Sequence, residues 1–284
     1  MKIPKGLVPL IDDGIVDSVV RQLKSGKEAS VYIVESGGEL CCAKVYKEAE
    51  RRGFHKLAQY QEGRKTRSSR DARAMGRRGK HGREVQEAEW KNAEVEALYR
   101  LHGAGVRVPV PRGVYQGVLL MELVRDADGD PAPRLNEVEL TLDQALQWHE
   151  FMIRQIVRML CVGLIHGDLS EYNVLIDATG PVIIDLPQAV NAAGNNNAFA
   201  MLERDVNNMR ATFARFAPQL VQTAYARELW AVYETSALTP DTVLTGLVPE
   251  DNSVTDVDAV LEQIEAERQE AQARELRRIA AAEG

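Results

Sequence analysis

Short runs rich in valine and other apolar residues occur in the first part of the chain, which is typical of β-strands. Two polar stretches rich in small residues, 24–30 and 36–38, separate the apolar runs. Stretches of this kind favour turns between antiparallel strands. We therefore expect a three-stranded meander with strands at 19–23, 31–35 and 40–46.

The spacing of hydrophobic residues becomes helical between residues 84 and 101, where Leu98 and Leu101 lie on one face. Gly103 comes next and indicates the end of this helix. Two more strands are expected at 113–115 and 118–124. The polar stretch 125–131 then separates this β-rich part from the second half of the chain, so we place a boundary between two lobes there.

The second half of the chain has mainly helical spacing, with one short β-hairpin inside it. Thr141 is the expected N-cap of a long helix that runs to Leu160. Apolar runs at 174–176 and 182–184 flank the turn 177–180, which predicts a strand, a turn and a second strand. Further helices are expected at 199–216, at about 228–233 and from residue 254 onwards.

These elements divide the chain into four parts. We expect an N-terminal lead-in at 1–18, an N-lobe at 19–124 with a basic insertion at about 48–84, a C-lobe at 125–250, and a helical tail at 251–284. With 284 residues, 45% of them hydrophobic, the chain is long enough to bury the core of a two-lobed domain.

Positive charge is concentrated in one segment, although the chain as a whole has a formal net charge of −7. Residues 47–84 contain thirteen Lys and Arg against five Asp and Glu, with few hydrophobic residues. Such a composition predicts a solvated segment. Two interpretations stay open: a flexible insertion that keeps the protein soluble, or a docking surface for RNA that gains affinity by counterion release.

The cysteines and the apolar runs indicate the compartment. Cys41, Cys42 and Cys161 cannot form a disulfide framework, and we expect them to be small buried hydrophobic residues. The N-terminal residues lack the pattern of a secretory signal, and no apolar run reaches the roughly 18 residues that would span a membrane. We therefore expect a soluble, cytoplasmic protein without membrane contact.

Three polar residues around the predicted hairpin are the strongest candidates for chemistry. Asp168 and Asn173 precede the first strand in an Asp-Leu-x-x-x-Asn pattern, and Asp185 comes directly after the second strand. Their oxygens suit Mg²⁺, with one carboxylate left to orient a nucleophile, as in phosphoryl transfer. The spacing is also that of a protein-kinase catalytic loop. We expect His166 to brace this loop and not to act as a base.

The N-lobe offers a second half of such a site. The stretch rich in small residues at 24–30, which we call the small-residue loop, could bring backbone amides close to phosphates. Lys44 could reach the same phosphates, and Glu94 could pair with Lys44. The apolar strand end at Met121 and Leu123 suits an adenine ring. A plain hairpin turn explains the loop equally well, and a buried strand end explains Met121 and Leu123 equally well.

Taken together, these motifs resemble the RIO family of atypical protein kinases, and the first RIO subfamily more than the second. The similarity spans about residues 15–215. The matching segments are Ser25-Gly26-Lys27-Glu28-Ala29-Ser30-Val31-Tyr32, Lys44, Glu94, Met121-Glu122, His166-Gly167-Asp168-Leu169-Ser170-Glu171-Tyr172-Asn173, Ile183-Ile184-Asp185 and Arg204-Asp205-Val206. The resemblance implies an α+β, two-lobed protein-kinase-like fold with a β-rich N-lobe and a mainly helical C-lobe that has no activation segment.

The resemblance also implies an activity, a non-specific serine/threonine kinase that uses ATP and Mg²⁺, with Mn²⁺ as an alternative metal. It implies that Asp168 orients or deprotonates the attacking hydroxyl and that Asn173 and Asp185 hold the metal. Lys44 and Glu94 would position the phosphates, and Asp185 could accept a phosphoryl group in an ATPase cycle. The expected nucleotide-binding residues are Ser25, Gly26, Lys27, Glu28, Ala29, Ser30, Val31, Lys44, Glu94, Met121 and Leu123. A protein substrate, the chain itself by autophosphorylation, and RNA or a ribosomal particle at the basic segment are the expected partners.

Two other functions stay open at this stage. Small-molecule phosphotransferases of the aminoglycoside or choline kinase type also carry His-Gly-Asp and lack an activation segment. A non-enzymatic module could instead bind RNA or the ribosome under the control of ATP. Ordinary protein kinases are a poorer match, because Gly167 replaces the Arg of His-Arg-Asp and Pro187 replaces the Gly of Asp-Phe-Gly.

Overall fold

Five antiparallel strands form the sheet of the N-lobe in the computed structural model, which describes residues 3–26, 29–47 and 93–247. Their spatial order is β1-β2-β3-β5-β4. All five strands expected in this lobe are present, each slightly longer or shorter than the sequence predicts. The strands are β1 (Ser18–Ser25), β2 (Ala29–Ser36), β3 (Glu39–Tyr46), β4 (Pro111–Tyr115) and β5 (Val118–Glu122).

The N-terminal residues pack on the outer face of this sheet. A short helix, α1 (Val8–Asp12), has Pro9 in its first turn. Gly14, with a φ of +67°, follows the end of this helix. Leu7 and Leu10 are fully buried against sheet residues that include Cys41 and Ala43. Residues 13–17 then connect this helix to β1, which begins at Ser18. The expected lead-in supplies part of the N-lobe core.

Helices come after the sheet and carry the C-lobe. Residues 93–103 are helical (α2), and the start of the helix predicted at 84 lies outside the described residues. Thr141 caps α3, as predicted, by accepting the Gln144 N–H, and Gln144 caps Thr141 in return. The main C-lobe helices are α3 (Leu142–Cys161), α4 (Ala198–Ala214) and α5 (Tyr225–Glu234). The tail helix predicted from 254 lies outside the described residues.

The predicted hairpin is present between α3 and α4. A two-residue strand, β6 (Leu164–Ile165), precedes it and pairs with β9 (Val190–Asn191), while β7 (Val174–Asp177) pairs with β8 (Gly180–Ile183). Asp177 closes the turn by accepting the backbone N–H groups of Thr179 and Gly180 at 2.7 and 3.0 Å. The hairpin delivers Asp185 directly after β8.

Only residues 186–197 separate Asp185 from α4. They contain β9 and one turn of 3-10 helix at Ala192–Gly194, so this part of the chain has no activation segment. The two lobes and this short connection confirm the predicted α+β kinase-like fold. Within residues 3–26, 29–47 and 93–247, no helix is both long and apolar enough to cross a bilayer.

Candidate active site

Lys44 connects the N-lobe sheet to both α2 and the hairpin. Its position on β3, opposite Val31 and Leu119, turns the side chain toward the C-lobe, where only 8% of the residue is exposed. The Lys44 ammonium donates to Glu94 Oε1 and, at 3.1 Å, to Asp185 Oδ1. The structure therefore brings together three predicted residues that lie far apart in the sequence.

The charges of this cluster hold one another in the ionised state. Burial alone would lower the pKa of Lys44, but the carboxylates of Glu94 and Asp185 outweigh it and raise that pKa above its usual range. Burial would raise the pKa of Asp185, yet the charge and hydrogen bond of Lys44 lower it overall. Tyr46 donates its hydroxyl to Glu94 Oε2 at 2.8 Å and so fixes the second oxygen of this buried acid.

Asp185 stands at a sharp bend of the backbone after β8. Its φ of +68° lies in the left-handed region, which few residues other than glycine adopt and which is common at functional sites. The preceding Ile184 donates its N–H to Asn173 O at 2.9 Å, and its carbonyl contacts His166 Nε2 at 3.0 Å. The bend is thereby held, while 48% of the Asp185 side chain remains exposed.

Asp168 and Asn173 are linked within the loop that precedes β7. The Asn173 amide nitrogen donates to Asp168 O at 2.9 Å and approaches Asp168 Oδ2 at 3.5 Å. Asp168 itself is exposed, and its N–H donates to His166 Nδ1 at 3.3 Å. The buried His166 thus contacts both the loop and Ile184, which is the bracing position expected for it.

Three side chains of helix α4 form hydrogen bonds with the backbone of the same loop, and we call these contacts the clamp. The Asp205 carboxylate, 1% exposed, accepts the N–H of Gly167 at 2.8 Å and of Leu169 at 3.0 Å. Arg204 donates to Gly167 O, and Asn208 donates to Leu169 O at 2.8 Å. Burial raises the pKa of Asp205 to about 6. The clamp fixes the backbone on both sides of Asp168.

The small-residue loop between β1 and β2 is described only in part, because Lys27 and Glu28 lie outside the described residues. The Gly26 N–H donates to Ala29 O at 2.9 Å, so this amide is engaged within the loop and not directed at a ligand. Ser25 and Ser30 contact each other through their hydroxyl oxygens at 3.3 Å. Lys47 donates to Ser25 Oγ at 3.0 Å and to Gly26 O, which braces the loop from the end of β3.

Apolar side chains line the inner face of the sheet beside this loop. Val31, Met121 and the buried Leu123 pack with Ile33 and Cys42. A cavity of about 40 Å³ lies at the ion-pair cluster itself, because Lys44, Glu94 and Asp185 line it. Its apolar lining includes Leu98, Pro109, Leu119, Met121, Ile183 and Leu186. The residues predicted to contact adenine therefore belong to one apolar surface that reaches the ion-pair cluster.

The donor atoms at the hairpin fit a magnesium ion. Because the Asn173 amide nitrogen donates to the Asp168 carbonyl oxygen, the amide oxygen of Asn173 points away from that carbonyl. Asp185 has a second carboxylate oxygen besides the one that contacts Lys44. Mg²⁺ is usually held by one or two carboxylates together with nucleotide phosphates. No group of three or more His, Cys, Asp or Glu among the described residues is arranged to hold a metal, but Mg²⁺ that binds with a nucleotide does not require such a group.

Several residues of the site were not assigned a role from the sequence. Asp205 and Asn208 clamp the loop, Lys47 braces the small-residue loop, and Tyr46 fixes Glu94. Asp205 lies within the apolar face of an amphipathic helix, and an acid at such a position indicates a buried carboxylate that needs hydrogen-bond donors. The contact of Tyr46 depends on how α2 packs against β3, and the contacts of Lys47 depend on the position of the loop between β1 and β2, so no local pattern reveals either.

Comparison with known proteins agrees with this geometry. A family model described as RIO domain matches residues 30–226. The RIO-type serine/threonine-protein kinase Rio1 of the archaeon Haloferax volcanii is 36% identical over 207 residues, which cover 72% of this chain and 67% of that protein. The serine/threonine-protein kinase rio1 of Schizosaccharomyces pombe is 28% identical over 218 residues, 74% of this chain but only 41% of the yeast protein.

A solved structure shares the architecture. The Rio2 kinase from Chaetomium thermophilum, crystallised as an ADP/Mg²⁺-phosphoaspartate complex, has a TM-score of 0.52 and 25% sequence identity. The alignment covers 82% of this chain and 70% of the Rio2 chain. The domain match, the archaeal relative and this fold lead to one conclusion: the chain belongs to the RIO-domain family.

Proposed function

We propose that this chain is an ATP- and Mg²⁺-dependent serine/threonine protein kinase that also phosphorylates itself. The observation that carries the proposal is the position of Lys44, buried between Glu94 and Asp185, above a loop that fixes Asp168 and Asn173. The names of the archaeal and yeast relatives support it, since both are serine/threonine kinases.

The nucleotide would lie between the lobes. The apolar residues Val31, Met121 and Leu123 suit the adenine ring, and the ammonium of Lys44 suits the α- and β-phosphates. Glu94 keeps Lys44 extended across the cleft because its own carboxylate is buried and bonded to Tyr46. The remaining loop residues Ser25, Gly26, Lys27, Glu28, Ala29 and Ser30 would cover the phosphates.

Transfer would use Asp168 as the group that faces the acceptor. A serine or threonine hydroxyl oxygen forms a bond to the γ-phosphorus while the bond from that phosphorus to the β–γ bridging oxygen breaks, which releases ADP. The hydroxyl proton passes to the Asp168 carboxylate, which is exposed, while Asn173 holds the backbone of Asp168 by donating to its carbonyl oxygen. The backbone bonds to Asp205 keep Asp168 at one place in the cleft.

Asn173 and Asp185 would hold the metal that accompanies the nucleotide. Bound Mg²⁺, or Mn²⁺ in its place, neutralises charge on the phosphate oxygens. Asp185 is suited to this because Lys44 keeps it ionised.

Nucleotide affinity measured with and without Mg²⁺ tests this assignment separately from turnover. We expect Asp185→Asn to remove most of the dependence of ATP affinity on Mg²⁺, and Asp168→Asn to retain it while losing transfer. Asp241→Asn, an exposed acid in the C-lobe, serves as the control. An Asp185→Asn protein with the wild-type metal dependence would contradict the assignment.

A second candidate activity is an ATPase cycle through phosphorylated Asp185. The specific observation in its favour is that Asp185 is strained, ionised and about half exposed, with one oxygen that does not contact Lys44. The Rio2 structure that this chain resembles was solved as a phosphoaspartate complex. In such a cycle an Asp185 oxygen attacks the γ-phosphorus, ADP leaves, and water then releases phosphate from the acyl phosphate. The label would be hydroxylamine-labile and absent in Asp185→Asn.

Contact with RNA or a ribosomal particle would use the basic segment at about 48–84, which lies outside the described residues. Its charge is the support for this part of the proposal. Neutralising the five arginines 64, 67, 70, 77 and 78 should weaken RNA binding and reduce its salt dependence. Unchanged affinity and salt dependence would remove this role.

A further inference from the structure

The connection between α2 and β4 is attached to the C-lobe through Arg107. The Arg107 N–H donates to Gln155 Oε1 of α3 at 2.8 Å, and the Arg107 carbonyl oxygen accepts the Ile183 N–H of β8 at 2.8 Å. The guanidinium donates to Asp177 Oδ2 and, at 3.1 Å, to Thr179 Oγ1 in the turn of the hairpin. One residue thus forms hydrogen bonds with α3, with β8 and with the hairpin turn.

The side-chain partner of Arg107 is a buried acid. Only 10% of the Asp177 side chain is exposed, and its other carboxylate oxygen accepts the N–H groups of Thr179 and Gly180. Among the residues that the structure describes, the ion pair of Asp177 is with Arg107. Removing the cation from a buried carboxylate is costly, so this contact is stronger than an ordinary ion pair at the surface.

Helix α2, which precedes the connection, packs on the C-lobe as well. Leu98 and Leu101 of α2 belong to one buried core with Ile156 of α3. Directly after the helix, Gly105 O accepts a hydrogen bond from Arg158 of α3 at 2.9 Å. The end of α2 and the connection after it are therefore fixed to α3.

Arg107 holds the hairpin at both of its ends. Its guanidinium binds the turn at Asp177, and its carbonyl oxygen binds Ile183 at the end of β8. Gly180, the partner of Asp177, lies three residues before Ile183 on β8, which puts the two attachments about 10 Å apart. Two attachments at this separation fix the direction of the hairpin, whereas one alone would let it pivot.

The open end of the hairpin carries the proposed metal site. Asn173 precedes β7, and Asp185 follows β8. Asp185 must also meet the ammonium of Lys44, whose other carboxylate partner, Glu94, lies on α2. Because α2 leads into the connection that carries Arg107, the direction of the hairpin relative to this connection decides how Asp185 meets Lys44.

We infer that Arg107 is a positioning residue, which directs the hairpin so that Asn173 and Asp185 meet the metal and the phosphates of ATP. The inference rests on the proposed function, because it assumes that these two residues hold Mg²⁺. The hydrogen bonds of Arg107 go to residues outside the proposed nucleotide site, so its effect passes through the hairpin. A displacement of about 1 Å can slow an enzyme about 100-fold.

Two variants remove the attachment at the turn. Arg107→Met loses the guanidinium and keeps both backbone bonds. Asp177→Asn loses the charge, while its amide oxygen can still accept the N–H groups of the turn. Each variant should lower kcat about tenfold and raise the Mg²⁺ concentration that gives half of the maximal rate. Circular dichroism at the assay temperature shows whether each variant is folded.

The controls separate positioning from general damage. Arg112→Met removes an ion pair of similar exposure, with Glu39 in the N-lobe sheet, and should change neither kcat nor the Mg²⁺ dependence. Arg107→Lys keeps a charge for Asp177 and should recover most of kcat. Affinity for adenosine, which has no phosphates, should stay at the wild-type value in every variant, because the residues proposed to contact adenine lie on the sheet.

The possible results separate this inference from the proposed function. Folded variants with wild-type kcat and Mg²⁺ dependence would overturn the inference alone, even if they unfold more easily. A loss of adenosine affinity in parallel with kcat would also overturn it, since that result indicates general damage to the cleft. If Arg107→Met does not fold, Asp177→Asn decides. Wild-type protein without transfer activity would overturn the proposed function, and the role of Arg107 with it.

Discussion

The Lys44 ammonium lies 3.1 Å from Asp185 Oδ1, although the two residues are 141 positions apart along the chain. The contact joins the N-lobe sheet to the strand end after the hairpin. Since Lys44 also donates to the buried Glu94, one cation satisfies two carboxylates from different elements. This arrangement can stabilise the fold and position phosphates, and the two roles can be separated experimentally.

Replacing Lys44 by Met should cost both stability and transfer. Glu94, 4% exposed, would be left as a buried charge without its cation, which typically costs about 3–5 kcal/mol. In Lys44→Met/Glu94→Gln the neutral amide can still accept the Tyr46 hydroxyl, so most of the stability should return while transfer stays absent. Urea unfolding and a transfer assay on the two variants and on Glu94→Gln provide the measurement. Recovery of transfer in the double variant would show that Lys44 is only structural.

Asp205→Asn tests the clamp beneath the catalytic loop. An amide oxygen can accept the N–H of Gly167 or of Leu169, but the amide NH₂ cannot accept the other, so one buried donor loses its partner at a cost of about 1–3 kcal/mol. We expect kcat to fall about 10- to 100-fold because Asp168 is displaced, with a small change in KM for ATP. The exposed Asp241→Asn variant is the matched control. An unchanged kcat would mean that the clamp does not position Asp168.

The acid side of the stability profile should depend on His149. This residue is 1% exposed, between the rings of Phe213 and Tyr225, and its Nε2 has no hydrogen-bond partner among the described residues. Burial, with a smaller effect from the charge of Arg210, lowers the pKa of His149 from 6.5 to about 4. The unfolded chain therefore takes up a proton between pH 6.5 and 4 that the folded protein does not. Folding stability from this group is complete above pH 6.5 and is lost as the pH falls toward 4.

His149→Phe removes this dependence. From pH 6.5 to 4 the variant should lose about 3 kcal/mol less unfolding free energy than the wild type, as a pKa difference of this size implies. Asp205, whose pKa is raised to about 6, contributes in the opposite direction over an overlapping range, but it is present in both proteins and cancels in the difference. His102→Phe, at an exposed position, is the control. Parallel pH profiles for His149→Phe and the wild type would contradict this account.

Local pattern was enough to predict the elements that carry the chemistry. The hairpin is predicted by two apolar runs around a polar turn, and the fold then places Asp185 at its end. The register of β3 and the helical spacing of Glu94 made the contact with Lys44 foreseeable. These features depend on neighbours within a few residues or on a single face of an element, which the sequence displays directly.

Other features depend on how distant elements pack, and the sequence does not display them. Asp205 is buried because α4 runs beneath the loop of Gly167 and Leu169, 36 to 38 residues away. The sequence assigns Leu10 to a short lead-in, whereas the packing of α1 on the sheet makes it a core residue. The left-handed backbone of Asp185 is likewise imposed by the bonds of Ile184 on both sides and not by a glycine.

The central claim is that the γ-phosphate of ATP is transferred at the site formed by Asp168 and Asp185. The most direct test is incubation of the purified protein with γ-labelled ATP and Mg²⁺, and then measurement of label bound to the protein. We predict that the wild type and Asp241→Asn become labelled, that the acid-stable label is lost in Asp168→Asn, and that Asp185→Asn carries none. Wild-type labelling in the Asp168→Asn or Asp185→Asn protein, or no label on the wild type, would contradict the claim.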